Sequence, residues 1–212
     1  MIVILLIAYL IGSIPFGFIL TKIMGAGDIR SSGSGNIGAT NVMRVLGKKA
    51  GYVTFLLDSA KGIIALLICG NLATDLMGLS GQMMAGATAN FQHYYMVGIA
   101  AIVGHCFPLW LKFKGGKGVS TALGIVVYTQ MMLAPQLWWV LLLITSVWIV
   151  IFRISRMVSL ASIAVFIAIF IANYLIFNEI LYSSVLSGLV IFRHKSNIIR
   201  LLNGTESRFN KK

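Results

Sequence analysis

The chain has 212 residues, 58% of them hydrophobic and only 10% charged, with a net charge of +12. A mean hydropathy of +0.93 leaves more apolar side chain than a water-soluble core can hide, so the composition specifies an integral membrane protein and excludes a soluble nucleic-acid-binding module despite the positive charge. At about 20 residues per crossing, the length holds roughly six to eight transmembrane helices in one membrane domain.

Seven apolar runs follow in order: Ile2 to Ile23, Ala50 to Gly70, His93 to Leu111, Val119 to Leu133, Gln136 to Phe152, Val158 to Phe177 and Ile180 to Phe192. The opening Met1-Ile2-Val3-Ile4 has no basic residue before its apolar run and no small-residue cleavage site, so it reads as a retained first span. Lys22, Arg30, Arg44, Lys48 and Lys49 follow the first run, and Lys112, Lys114 and Lys117 the third. Arg153 and Arg156 follow the fifth, and Arg193, Lys195, Arg200, Arg208, Lys211 and Lys212 the seventh. Sixteen of seventeen basic residues therefore lie on alternate connections, while the connections near Asn71 to Gln92, Ala134 to Pro135 and Asn178 to Glu179 carry none. The positive-inside rule then predicts an all-α polytopic protein of seven transmembrane helices, with the N-terminus outside and the C-terminus cytoplasmic. The exception, Lys61, sits inside the second run three residues after Asp58, where the two can pair on a helix. Such a pair inside the membrane is either functional or a structural neutralisation. The stretch from Leu72 to Gln92 gives no chemical signal and reads as a loop or a half-buried helix.

The first basic loop runs Ser31-Ser32-Gly33-Ser34-Gly35-Asn36-Ile37-Gly38-Ala39-Thr40-Asn41-Val42-Met43-Arg44. Gly33, Gly35 and Gly38 spell the dinucleotide fingerprint, but that motif belongs between a strand and a helix of a βαβ unit, and here membrane spans flank the loop. What survives is anion chemistry: backbone amides at Gly35 and Gly38, neutral partners on Ser34, Asn36, Thr40 and Asn41, and Arg44 as a bidentate clamp. A flexible polar linker is the competing reading.

The second basic loop, Lys112-Phe113-Lys114-Gly115-Gly116-Lys117-Gly118-Val119-Ser120-Thr121, points to phosphate more strongly. Its glycines offer amides with no Cβ in the way, the following helix aims its N-terminal amides back at the loop, and the lysines add full charge. Gly115, Gly116, Lys117, Gly118 and Thr121 are thus candidate phosphate contacts; lysines that merely fix membrane orientation would leave the glycines unexplained. In the third loop Arg156 and Ser159 are further candidates, although topogenic arginine and a capping serine account for them as well. In the last basic segment His194 and Asn197 share a helical face beside an apolar stripe of Ile198, Leu201 and Leu202. An amphipathic helix on anionic lipid is the alternative there, and it needs neither histidine nor asparagine.

No GxxxxGK[ST] occurs, and no histidine is followed five residues later by aspartate. Cys69 and Cys106 lie in apolar runs without a CxxC pattern and read as small buried hydrophobes, so no metal or cofactor is expected. The segments Ser34 to Asn41 with Arg44, Gly104-His105 with Phe107-Pro108, Phe113 to Val119 with Thr121, and Arg193-His194 with Asn197-Ile198 and Arg200-Leu201 together resemble the bacterial acyl-phosphate:glycerol-3-phosphate acyltransferases, the PlsY family. The resemblance covers nearly the whole chain. It implies a seven-helix enzyme of the bacterial inner membrane with its active site facing the cytoplasm, acylating position 1 of glycerol 3-phosphate from a long-chain acyl phosphate among membrane lipid. It also implies coupling to an enzyme that makes acyl phosphate. Carried over by motif, Ser34, Asn36 and Arg44, then Lys117 and Thr121, then His194 and Asn197 form the catalytic and substrate-binding set, with Glu206 supporting them. The rival reading is a carrier of organic phosphates, but such carriers favour repeated halves and midplane sites, and this chain shows no internal repeat.

Overall fold

The first apolar run breaks where proline requires it. Pro15 has no amide to give a helix and pushes Ile14 out of helical geometry, so the run divides into α1 (Ile2–Gly12) and α2 (Phe16–Ile23). The polar groups freed at the break find partners inside the protein, as backbone within a membrane must. Lys61 Nζ donates to the Ile14 carbonyl at 2.8 Å, and Ser13 Oγ accepts from Trp110 Nε1 at 2.9 Å.

In this computed structural model, which describes residues 1–79, 92–133, 138–172, 174–175 and 180–209, every regular element among the described residues is helical. After α3 (Ala39–Leu46), α4 (Lys48–Ala65) widens into a π turn over Leu66–Gly70 and continues as α5 (Asn71–Leu76). There follow α6 (Gln92–Cys106), α7 (Val119–Tyr128) with a π turn over Thr129–Leu133, α8 (Trp138–Ser155), α9 (Val158–Ala172), α10 (Ile180–Arg193) and α11 (Lys195–Leu202). Four segments are long and apolar enough to cross a membrane: Ile2–Ile23, Lys48–Leu76, Gln92–Leu111 and Trp138–Ser155. Val119–Met132, Val158–Ala172 and Leu181–Arg193 are shorter apolar helices. The Leu72 to Gln92 stretch is helical as far as Leu76. Its residues 80–91, the expected turns at Ala134–Pro135 and Asn178–Glu179, and Lys211 and Lys212 lie outside the described residues.

The chain divides into two compact units, Met1–Tyr128 and Thr129–Lys212. In the first, α1 packs on α6 and α4 on α7. Lipid gives helices little hydrophobic reason to associate, so they approach at small residues where dispersion contacts are dense. A methyl on Gly12 would overlap the Ala101 backbone, and one on Gly104 the Tyr9 carbonyl. Gly62 lies against the Thr121 carbonyl and Gly124 against that of Ser59 in the same way. At the end of this unit opposite the basic loops, the Tyr94 hydroxyl donates to Asn71 Oδ1 at 2.6 Å, and Thr74 Oγ1 lies 2.7 Å from His93 Nε2.

In the second unit α8 packs on α9, and α9 on α10, where Ser187 Oγ donates to the Phe166 carbonyl at 2.9 Å. Only 11% of the α8 span is buried, against 56% of the Gln92–Leu111 span. Leu142, Leu143, Ile149 and Val150 are exposed along α8, a surface that suits lipid and would drive association in water. The chain then folds back: the Phe209 amide donates to the Arg156 carbonyl at 2.7 Å, and the Phe209 ring meets Phe152 edge-on.

Candidate active site

The first basic loop is held by one buried asparagine. Asn41, 1% exposed, accepts the Ser34 amide on Oδ1 at 2.7 Å, and its amide nitrogen reaches the carbonyls of Ile29, Ser32 and Asn36 at 3.3, 3.0 and 2.8 Å. Its hydrogen-bonding capacity is taken up within the loop, unlike the substrate contact expected from sequence. Asn36 Oδ1 accepts the Gly38 amide at 2.8 Å, closing an Asx turn before α3. Ser34 and Gly35 are exposed at the tip, Gly38 is half-buried at the start of α3, Thr40 half-buried in its first turn, and Arg44 exposed on α3.

Asp28 and Arg30 brace the loop's base as a bidentate pair, Nη2 to Oδ2 at 2.6 Å and Nε to Oδ1 at 3.0 Å. The side-chain bond from Arg30, followed by that from the Arg30 amide, lowers the Asp28 pKa to about 2. Arg30 also reaches the Leu111 carbonyl at 3.4 Å. Beneath, Ile29, Ile37, Val42, Ala50 and Leu111 form one buried apolar cluster. Ile37 belongs to the first loop and Leu111 immediately precedes the second, so this cluster holds the two basic loops side by side.

In the second loop the amides of Gly115 and Gly116 do not aim at an open site. They donate to the carbonyls of Cys106 and His105 at 3.2 and 3.0 Å, capping the end of α6. The glycines serve close packing instead: a methyl on Gly115 would overlap the His105 carbonyl and Pro108, and one on Gly116 the His105 ring. Gly118, at φ +85°, occupies the left-handed region just before α7. Helix geometry leaves the amides of the first turn of α7, from Gly118 to Thr121, without intrahelical acceptors. Thr121 Oγ1 is fully buried there and makes no hydrogen bond among the described residues. Lys117 is half-buried, whereas Lys112 and Lys114 are exposed.

The second unit builds its own cluster around Glu206, which is 8% exposed. Oε1 accepts from Ser159 Oγ and Asn197 Nδ2, each at 2.7 Å, and Oε2 from Arg200 Nε at 2.8 Å. Burial pushes the Glu206 carboxyl up, but the bonds from Ser159, Asn197 and Arg200 outweigh it and hold the pKa below the ordinary glutamate value. Ser159 and Asn197 are thus brought together by Glu206, the acid that the family resemblance puts in a supporting place. Arg156 is half-buried, at φ +60° in the turn between α8 and α9. His194 is buried, with Nδ1 2.7 Å from the Val190 carbonyl. A carbonyl only accepts, so the proton shared between them sits on Nδ1.

Among the described residues no group of three or more His, Cys, Asp or Glu is placed to hold a metal ion. The helices and loops define an integral membrane protein with two glycine-rich basic loops in its first unit and a carboxylate-anchored segment around His194 and Asn197 in its second. The chain belongs to the glycerol-3-phosphate acyltransferase family, whose model matches residues 2–204. It is 46% identical over 212 residues to the glycerol-3-phosphate acyltransferase of Syntrophotalea carbinolica, covering 98% of this chain and 96% of that protein. It is 42% identical to that of Aquifex aeolicus, covering 95% of each. Among solved structures it is similar to PlsY, an integral membrane glycerol 3-phosphate acyltransferase, in the glycerol 3-phosphate form. The TM-score is 0.77 at 41% identity, covering 99% of this chain and 95% of that one. A second structure, the lysophosphatidic acid form of PlsY, matches with a TM-score of 0.77 at 39% identity.

Proposed function

We propose that this chain transfers an acyl group from a long-chain acyl phosphate to position 1 of glycerol 3-phosphate, releasing lysophosphatidate and inorganic phosphate. Family membership supports the acyl acceptor and product, and the relatives' crystal forms with glycerol 3-phosphate and lysophosphatidic acid agree with both. The observation that carries the reading is the Ile37, Val42 and Leu111 cluster, which sets two anion loops against one apolar floor.

The chemistry is economical. The glycerol hydroxyl attacks the acyl carbonyl carbon, a new C–O bond forms, the bond from carbonyl carbon to phosphate oxygen breaks, and the hydroxyl proton ends on the departing phosphate. A mixed anhydride is already activated, so positioning and charge stabilisation carry most of the acceleration. Lys117, Thr121 and the α7 amides hold one phosphate, while Arg44 and the Ser34 hydroxyl serve the other anion; the Gly35 and Gly38 amides, expected from sequence to face it, instead donate to the Ser32 carbonyl and Asn36 Oδ1 within the loop. His194 Nε2 or the donor's own phosphate oxygen takes the proton, and Asn197 is a hydrogen-bonding partner set by Glu206. Asn41 and Ser159 hold backbone and carboxylate rather than substrate.

The basic connections support seven spans with the N-terminus outside and all four basic segments facing the cytoplasm of an inner membrane. An upstream enzyme that makes acyl phosphate supplies the donor. The test uses purified protein in detergent with glycerol 3-phosphate. Palmitoyl phosphate is expected to yield lysophosphatidate and phosphate, and palmitoyl-CoA nothing above background, because the glycine-rich loops carry no nucleotide fold and no tryptophan or tyrosine for the carrier to stack on. Comparable turnover with the thioester would overturn the donor assignment. Product formed without a sealed compartment also separates an enzyme from a phosphate carrier.

A further inference from the structure

A line of buried contacts runs from the membrane-spanning part of the first unit to the second loop. Asp58 and Lys61, one turn apart on α4, pair at 2.8 Å with each side chain only 2% exposed. The same Asp58 oxygen faces His105 Nδ1 at 3.6 Å, too long for a hydrogen bond but close enough for strong attraction to an imidazole N–H dipole or cation. Lys61 Nζ donates to the Ile14 carbonyl at the proline break and lies 5.8 Å from the centre of the Phe16 ring. On its other side, His105 accepts the Gly116 amide on its carbonyl at 3.0 Å, and its ring fills the space a Cβ on Gly116 would need. The next residue is Lys117.

Helix association does not require these charges. α4 already packs on α7 at Gly62 and Gly124, and an ion pair withdrawn from water is often matched or bettered by apolar groups of the same volume. Ionisable groups inside a membrane are expensive, and a task beyond adhesion is the first reading to test for them.

We propose that Asp58, Lys61 and His105 are positioning residues for the anion loop. Lys61 fixes Asp58 against the Ile14 break, Asp58 orients the His105 ring, and the ring is the wall against which Gly116 sits, setting the direction of Lys117. The proposal rests on the reading of that loop as a phosphate holder.

The test measures kcat and KM for glycerol 3-phosphate and for palmitoyl phosphate in detergent, together with an unfolding midpoint for each variant. Lys117→Ala identifies the substrate whose KM the loop controls. Asp58→Asn and His105→Ala are expected to raise KM for that same substrate about tenfold while kcat changes less than about threefold. Gly116→Ala is expected to lose roughly a hundredfold in kcat/KM, and Gly116→Ala with His105→Ala to be no worse than His105→Ala alone, since removing the ring makes room for the methyl. A merely structural role would move both KM values together with the unfolding midpoint, and losses that multiply would show that the ring is not the wall for Gly116; either result overturns the proposal. If Lys117→Ala leaves kcat/KM unchanged for both substrates, the phosphate reading falls and this proposal with it. If Lys117→Ala acts and the other variants do not, only the positioning role falls. Should Asp58→Asn fail to fold, the Gly116/His105 pair decides.

Discussion

Replacing Glu206 probes the second unit at its centre. Glu206→Ala removes the acceptor for three donors, of which Asn197 Nδ2 is buried and has the least room to find water. A buried donor left without its charged acceptor costs about 2 kcal/mol, and the rotatable Ser159 hydroxyl about 1 kcal/mol. Arg200 is 39% exposed, so solvent screening reduces its ion pair to about 0.5 kcal/mol. The loss should total about 3 to 4 kcal/mol. Glu206→Gln keeps one carbonyl for Asn197 and Ser159 and turns its NH2 toward Arg200, which can swing into water, so about 1 kcal/mol is expected. The measurement is reversible unfolding in mixed detergent micelles, followed by tryptophan fluorescence, with a double-mutant cycle against Asn197→Ala. That cycle should return a coupling of about 1 to 2 kcal/mol. A Glu206→Ala loss below about 0.5 kcal/mol, or no coupling to Asn197, would refute the view that this carboxylate holds the helix carrying His194 and Asn197.

The Glu206 pKa is lowered on folding, so its contribution should be fully present above the ordinary glutamate value and disappear as pH falls through the lower folded value; unfolding midpoints of wild type and Glu206→Gln should converge below that point. Lys117→Ala and Arg44→Ala should each cut kcat/KM by about 2 to 4 kcal/mol of transition-state stabilisation, roughly 30-fold to nearly 1000-fold, while Lys48→Ala, exposed at the start of α4, should be nearly silent. A reporter active only outside the cytoplasm should be bright when fused after Asp75 and dark after Lys49, Lys114 or Lys195; a bright fusion at Lys114 would reverse the orientation assigned to the second loop.

The helices were legible because hydropathy is a property of composition along the chain, and membrane insertion depends on little else. The basic loops were legible for the same reason. What the sequence hid is where polar atoms point. It offered Gly115 and Gly116 as amide donors to phosphate, yet their amides meet the carbonyls of Cys106 and His105, because the end of α6 has carbonyls to satisfy nearby. Asn41 read as a substrate contact, whereas a buried amide in a tight loop first satisfies that loop's backbone. Ser159 and Glu206 stand 47 positions apart, and no local pattern announces a hydrogen bond across that separation.

The acidic residues bear on the proton's destination. Of five in the chain, Asp28 is bound to Arg30, Asp58 to Lys61, and Glu206 accepts from three donors. Glu179 lies outside the described residues. Asp75 is 27 positions from Lys48 on one continuous helical crossing, about 40 Å along the axis from the end that adjoins the first loop. A carboxylate that accepts bonds from arginine or lysine is a weaker base than a free one, since a proton would have to displace a cation. The three engaged acids therefore suit a structural role better than a general-base one. An acyl donor that brings its own basic phosphate oxygens fits such a chain, since the cations that bind it also stabilise it as it leaves. A thioester donor brings no such oxygens, so with it the proton would fall to His194 alone.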